Sequence, residues 1–361
     1  MFTSTISPGI VSQTNLSCDN CTNFKCMAYT ITYIIMFPVG FFSNLAALFV
    51  FLRHTPKKSA NIVFMTNLAI SDISFSLTLP FRITYYMKQC HWVFPNWMCR
   101  WCVFSFYMNL YTSVLFLMGL SVLRYIAVVH PIRNKTLVTV RRASVACLCI
   151  WVFVALMCIP FLLPGEYNKI RCFEPGNIKN WNQILHLNYM ALVLGFLIPF
   201  STILVCYGCI IRALFTSQKV QSSNRNQRLR SVYLIVLVLS TFLLCFLPYH
   251  VVRTVHLHVT VGMVQNSCSL KLQMLNVTVL TLCMASANSC LNPLLYYFAG
   301  ERFRTAFRRA SRRRTFSSEN ENSFRLSLQR KKQADRKKVN GLVSTPTSIL
   351  APKGELDHAT Q

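Results

Sequence analysis

Long apolar stretches, broken by short polar and basic ones, run through most of this chain. Seven blocks stand out, at about 27–51, 61–81, 101–123, 143–163, 185–211, 231–252 and 272–298. Each reaches the roughly 20 residues that an α-helix needs to cross bilayer hydrocarbon. A spanning segment must satisfy its own backbone hydrogen bonds there. The pattern therefore predicts an all-α membrane protein, a bundle of seven transmembrane helices over 27–298. The fifth span holds Pro199, and prolines mark expected breaks at Pro248 in the sixth and Pro293 in the seventh, because each removes a backbone donor. Residues 1–26 are polar and rich in Ser, Thr and Asn. Residues 299–310 place Phe303 and Phe307 on one face with arginines elsewhere, which predicts a short amphipathic eighth helix on the membrane surface. Residues 311–361 form a basic tail too hydrophilic to fold alone.

Composition agrees: 53% of residues are hydrophobic and only 13% charged, about half the charged share of a soluble globular protein. The net charge of +27 raises the question of nucleic acid, and its placement answers it. Basic residues cluster at Arg53, Lys57 and Lys58, at Arg124 to Arg142, at Arg212 to Arg230 and along the tail from Arg302. The loops between these clusters carry fewer. This alternation is the positive-inside pattern, which places the N-terminus outside the cell and the C-terminus in the cytoplasm. Topology and anionic lipid account for the charge, so membrane lipids and not nucleic acid are the expected partners. No basic segment with a short apolar core precedes the first span, so that span is expected to serve as the insertion signal. Asn15 and Asn20 open glycosylation sequons on the outer segment, whereas the sequons at Asn134 and Asn276 fall in the cytoplasm and in a span. Seven of the 16 cysteines fall outside the spans on the oxidising side: Cys18, Cys21, Cys26, Cys90, Cys99, Cys172 and Cys268. Disulfides are expected there. Cys99 and Cys172 are the natural bridge across the top of the third span, although spacing alone leaves connectivity open.

The chemistry-bearing residues are few. Asp72 is the one carboxylate within any predicted span, and an acid at that depth is costly unless it is paired or hydrated. By depth, Asn44, Asn109, Ser113, Asn288 and Asn292 are its candidate partners. Such oxygen-rich surroundings suit Na⁺ or a water cluster. Arg82, just past Pro80, either snorkels to the headgroups or faces inward as an anion receptor. Tyr107 and Tyr111 lie four apart and share a helix face. His250, Arg253 and His256 climb the sixth span at three-residue spacing. His256 and His258, two apart, point away from each other, which argues against a metal site. No nucleophile–base pair or metal-ligand set suggests an enzyme. The odd span count, the lack of internal repeats and the single intramembrane acid argue against a transporter or channel.

Taken in order, Asn44, Asp72 in L-A-I-S-D, Cys99 and Cys172, Arg124-Tyr125, Trp151, Pro199, Pro248 in C-F-L-P-Y and Asn292-Pro293-Leu-Leu-Tyr296 resemble the rhodopsin-type G-protein-coupled receptors over about residues 27–310. The stretches L-P-F-R-I-T-Y-Y, F-Y-M-N-L-Y, R-C-F-E-P and F-L-P-Y-H-V-V-R-T-V-H-L-H are similar to the cysteinyl leukotriene receptors, with nucleotide receptors the neighbouring branch. The resemblance implies an anionic ligand held by Arg82, Tyr107, Tyr111, Arg253, His256 and Lys271, with its apolar chain in a slot between the fourth and fifth spans. A nucleotide or another anionic lipid is the alternative ligand. The resemblance further implies activation by a swing about Pro248 that opens an inner cleft near Arg124, Tyr125, Tyr207, Asn292, Pro293 and Tyr296. It also implies coupling to a heterotrimeric G protein of the Gq type with calcium mobilisation, tail contacts with arrestin and receptor kinases, and a second outer bridge from Cys18 to Cys268. Plasma-membrane location is implied as well. No cofactor is implied beyond the possible Na⁺. The chain departs from the family at Leu123, where an acid usually precedes the arginine, and at Arg228, where an acid usually opens the sixth helix. It also carries Cys158-Ile159 where relatives have a serine pair.

Overall fold

A computed structural model describes residues 22–53, 55, 59–162, 171–173, 178–216, 225–262, 268–299 and 326. Seven helices in it are long and apolar enough to cross a membrane. They are α1 (Asn23–Arg53), α2 (Ala60–Met87), α3 (Asn96–Val129), α4 (Val140–Phe161), α5 (Trp181–Ala213), α6 (Val232–Val261) and α7 (Cys268–Phe298). A short helix, Pro131–Leu137, comes after α3. All the packing below lies within one compact unit, Met1–Ala306.

The apolar blocks mark these helices, but several run further than the blocks. α1 begins at Asn23, inside the segment 1–26 expected to precede it. The reason is a cap: Thr22 Oγ1 accepts the backbone N–H of Lys25 at 3.1 Å, which satisfies one of the orphan donors of the first turn. Thr139 caps α4 in the same way through the N–H of Arg142. α2 continues to Met87 and α3 begins at Asn96, because helical turns outside hydrocarbon need no apolar run. The proposed eighth helix beyond residue 299, the tail apart from residue 326, Asn15, Asn20 and Cys18 lie outside the described residues.

The prolines act through the carbonyls they leave unpaired. Pro80 interrupts α2 at Leu77–Thr78, where the bond from Thr78 N to Phe75 O (2.9 Å) tightens the turn. α5 and α6 each carry a π turn, Val193–Leu197 and Phe242–Phe246, directly before Pro199 and Pro248. Pro293 in α7 cannot donate to Ser289 O, and Asn44 of α1 does so instead, its Nδ2 lying 2.9 Å from that oxygen. The same amide also donates to Gly40 O at 2.9 Å, so both of its N–H groups are used. Gly262, at φ 86°, ends α6 in the left-handed conformation that favours glycine.

α3 packs against α2, α4 and α5. α2 and α3 approach so closely at Gly119 that an added Cβ there would run into the Phe64 ring. α4 is tied to α2 by Trp151 Nε1, which donates to Asn67 Oδ1 at 3.0 Å. Cys99, at the start of α3, is bridged to Cys172 with a Cα–Cα distance of 5.9 Å. That bridge defines one end of the bundle, and Arg124 marks the other. Cys90 and Cys268 are also disulfide-bonded, and Cys26 Sγ lies 3.5 Å from Cys90 Sγ.

Candidate functional site

The bridged end of the bundle opens into a cavity that encloses about 870 Å³, part of it continuous with the exterior. Its walls carry Lys25 and Tyr29 of α1, Arg82 and Tyr86 of α2, Phe106 and Tyr107 of α3, Phe173, Trp181, and Tyr249, Arg253 and His256 of α6. A second cavity of about 640 Å³ adjoins it between α3, α4 and α5, and is lined largely by apolar side chains such as Leu115, Phe153, Met157, Leu187 and Leu194. Tyr107, Tyr249 and Arg253 belong to both walls. The two spaces thus adjoin, one a mouth with cationic walls and the other an apolar slot, with these three side chains between them. No Asp or Glu lines either part among the described residues.

Arg82 faces inward and not toward the headgroups. It is buried (3% exposed), with its guanidinium carbon 4.4 Å from the Phe173 ring centre and 5.1 Å from that of Phe106. One nitrogen, Nη2, donates to Cys102 O at 2.8 Å, while Nε has no hydrogen-bond partner among the described residues. A cation held by π faces and one carbonyl keeps strong attraction for an anion, because no carboxylate among the described residues lines the cavity beside it. His256 is also buried, and its Nδ1 lacks a partner among the described residues. Trp181 meets its ring edge-on at 6.4 Å.

Aromatic stacking builds the wall between mouth and slot. Tyr107 lies 4.3 Å from Phe161 at an interplanar angle of 13°, and 6.3 Å from Tyr111 at 9°. Tyr111 in turn presses on Gly195 of the α5 π turn, where a Cβ would fall 2.6 Å from Tyr111 Cδ1. Cys158 lines the slot.

Arg82, Tyr107, Arg253 and His256 share the mouth, and Tyr111 lies in the slot. Lys271 is exposed and lines neither cavity. His250 shares the sequence spacing of Arg253 and His256 but not their place. It is buried among Phe196, Tyr249 and Tyr111, with ring centres 4.8, 5.1 and 6.0 Å away, and neither of its nitrogens has a partner among the described residues. Sequence reasoning missed Lys25, Tyr29, Tyr86, Phe173 and Trp181. Lys25 left a signal: it is the one basic residue in the first 52.

Deeper in the bundle, Asp72 gathers amides from two other helices. Asn109 donates to Oδ1 and Asn292 to Oδ2, both at 2.8 Å. Asn288 Oδ1 lies 3.5 Å from the Asn292 amide. Ser113 is buried nearby in depth, with a hydroxyl that has no hydrogen-bond partner among the described residues. Asn44 does not bond to Asp72; it holds Ser289 O and accepts the Tyr296 hydroxyl at 3.2 Å.

At the Arg124 end, a cavity of about 310 Å³ is lined by Arg124, Tyr207, Asn61, Leu234 and Leu295. Ser121 Oγ and Tyr207 OH lie 2.8 Å apart. Tyr296 and Tyr125, grouped with Arg124 by sequence, do not line this cavity. Tyr296 is drawn to Asn44, and the Tyr125 hydroxyl lies 3.2 Å from His130 Nε2.

Comparison with known proteins places these features in a family. The model for "7 transmembrane receptor (rhodopsin family)" matches residues 43–296. The cysteinyl leukotriene receptor 2 of Mus musculus is 44% identical over 294 residues, 80% of this chain and 93% of that protein. The cysteinyl leukotriene receptor 1 of Cavia porcellus is 39% identical over 319 residues, 86% of this chain and 92% of that protein. A purinoceptor of Gallus gallus is 33% identical over 304 residues, 82% of this chain and 83% of that protein.

Proposed function

This chain belongs to the rhodopsin family of seven-transmembrane receptors, and we propose that it is the receptor for a cysteinyl leukotriene. Membership makes it a multi-pass plasma-membrane protein that answers a ligand and works through a heterotrimeric G protein; it is not an enzyme. The observation that carries the ligand reading is the pair of adjoining cavities, one with cationic walls and one apolar, with Tyr107, Tyr249 and Arg253 common to both. A cysteinyl leukotriene has carboxylates at one end and a long hydrocarbon chain at the other. Guanidinium forks suit the carboxylates, and the chain gains by leaving water for the slot.

A nucleotide is the second reading, favoured by the similarity to a purinoceptor. The slot speaks against it, since a triphosphate would leave the apolar walls unfilled. In the leukotriene reading the bridged end faces outside and the Arg124 cavity faces the cytoplasm, where a Gq-type protein inserts as α6 swings about Pro248. Arrestin and receptor kinases engage the tail. Asp72 and Ser113 are the residues that would hold an allosteric Na⁺: the carboxylate supplies charge, and the orphaned Ser113 hydroxyl is a hard oxygen suited to such a cation.

The test is intracellular calcium in cells that carry the chain at their surface, challenged in parallel with cysteinyl leukotrienes and with adenine and uracil nucleotides. A leukotriene response weakened by Arg82→Ala or Arg253→Ala is expected. A response to nucleotides alone would overturn the ligand. G-protein activation by leukotriene without calcium release would instead overturn the Gq assignment.

A further inference from the structure

Four side chains fasten α5 to α6 at the bridged end. Asn188 of α5 donates an amide N–H to Thr254 Oγ1 at 2.8 Å, and that hydroxyl in turn donates to His250 O at 2.8 Å. Thr254 O also lies 2.7 Å from His258 Nδ1. A carbonyl only accepts, so Nδ1 carries the proton, and in the neutral ring Nε2 is then an acceptor. Tyr189 of α5, 2.5 Å from Nε2, is its donor. Every donor and acceptor in the circuit has one consistent role, and two of the four bonds cross between helices.

The latched segments end at a flexible place on both helices. On α5 the π turn Val193–Leu197 comes within two turns of Asn188 and Tyr189; on α6 the π turn Phe242–Phe246 and Pro248 precede Thr254. The two π turns touch, with Phe196 stacked on Phe242 at 6.3 Å between ring centres and Phe200 on Phe242 at 5.8 Å. π turns and prolines are where helices bend. Asn188 is itself part of the slot wall.

We infer that the outer segments of α5 and α6 move as one body about the Phe196–Phe242 contact, and that Asn188 is the positioning residue through which a chain in the slot acts on α6. This rests on the reading that the slot takes the apolar part of the ligand. A chain that enters between α4 and α5 displaces the segment carrying Asn188, Thr254 moves with it, and the part of α6 beyond the pivot moves the opposite way. Without the latch, the same displacement would stay within α5.

Two measurements on the full-length receptor decide it. The first needs no ligand: the distance distribution between probes at the exposed positions Gln183 and Val255, introduced as unnatural amino acids. Asn188→Ala and Thr254→Val are each expected to broaden it, and the double variant to broaden it no further; unchanged distributions would overturn the latch. The second uses Thr254→Val alone, since Thr254 lines neither cavity. Leukotriene signalling potency is expected to fall about fivefold, the worth of the one bond to Asn188 that crosses between the helices, with affinity measured without G protein unchanged. Affinity and potency that fall together would mark a merely structural role and overturn the coupling. A wild-type receptor silent to leukotriene would sink the ligand reading, and the distance distributions would still decide the latch.

Discussion

The guanidinium of Arg82 lies 4.4 Å from the ring centre of Phe173, the residue next to Cys172 in the Cys99–Cys172 bridge. The disulfide therefore holds one face of an arginine's binding box, and loop and cation act together. Phe173 takes φ 70°, a left-handed conformation uncommon for a bulky residue, so the surrounding structure holds the ring where it lies.

Arg82→Lys is expected to lose about 10- to 100-fold in affinity for an anionic ligand, the worth of a charge-assisted hydrogen bond. An ammonium keeps the charge but not the plane that stacks between Phe106 and Phe173. Competition binding on membranes measures the loss. An affinity kept by lysine would mean that charge alone suffices.

Breaking the bridge with Cys172→Ser is expected to cost about 2–5 kcal/mol of stability and to lower ligand affinity as Phe173 leaves Arg82. Thermal unfolding and saturation binding in the same detergent preparation give the two quantities. Stability lost with affinity intact would uncouple Phe173 from the site.

Gly195→Ala places a methyl group 2.6 Å from Tyr111 Cδ1, and a ring between Tyr107 and the α5 π turn has little room to yield. Overpacking of this kind costs about 1–3 kcal/mol. Ligands with a long apolar chain are expected to lose more affinity than analogues with that chain removed. Equal losses in a chain-length series would show that Tyr111 does not bound the slot.

The amides of Asn109 and Asn292 both depend on Asp72. Asp72→Ala leaves two buried donors unsatisfied, at about 1–3 kcal/mol each, and is expected to lower the unfolding temperature more than Asp72→Asn, which keeps one acceptor. Asp72→Asn removes the charge that would hold Na⁺, so agonist binding should lose its dependence on sodium concentration. Sodium titrations against a choline control test that part.

Leu123 is half-buried and packs against the apolar core beside Arg124. Leu123→Asp sets a carboxylate beside this arginine, which would restrain it by charge, and ligand-free nucleotide exchange on a G protein is expected to fall. Unchanged basal exchange would mean that Arg124 is restrained by other contacts.

Much of this architecture is legible along the chain because hydrocarbon imposes a one-dimensional rule. A span must be long and nearly free of charge, so the seven helices, the isolated Asp72 and the alternation of basic loops can be counted residue by residue. Residues anchored near helix starts and on adjacent turns of one helix, such as Cys99, Tyr107 and Tyr111, also keep their expected neighbours. Convergence across helices does not emerge from such a count. Lys25 joins Arg82, Arg253 and His256 only because α1, α2 and α6 lean together at one end, and Asn44 finds Ser289 O only because Pro293 left it open. The π turns add a second reason. Each inserts a residue and turns the remainder of its helix by about 100°, which a count of spacings does not register; beyond the α6 π turn the three-residue spacing itself drifts by about 60° a step, so His250 and His256 stand about 120° apart round the helix. The sequence by itself determined the spans and the residues capable of chemistry; the rotation, tilt and contact of those helices decided which of them meet.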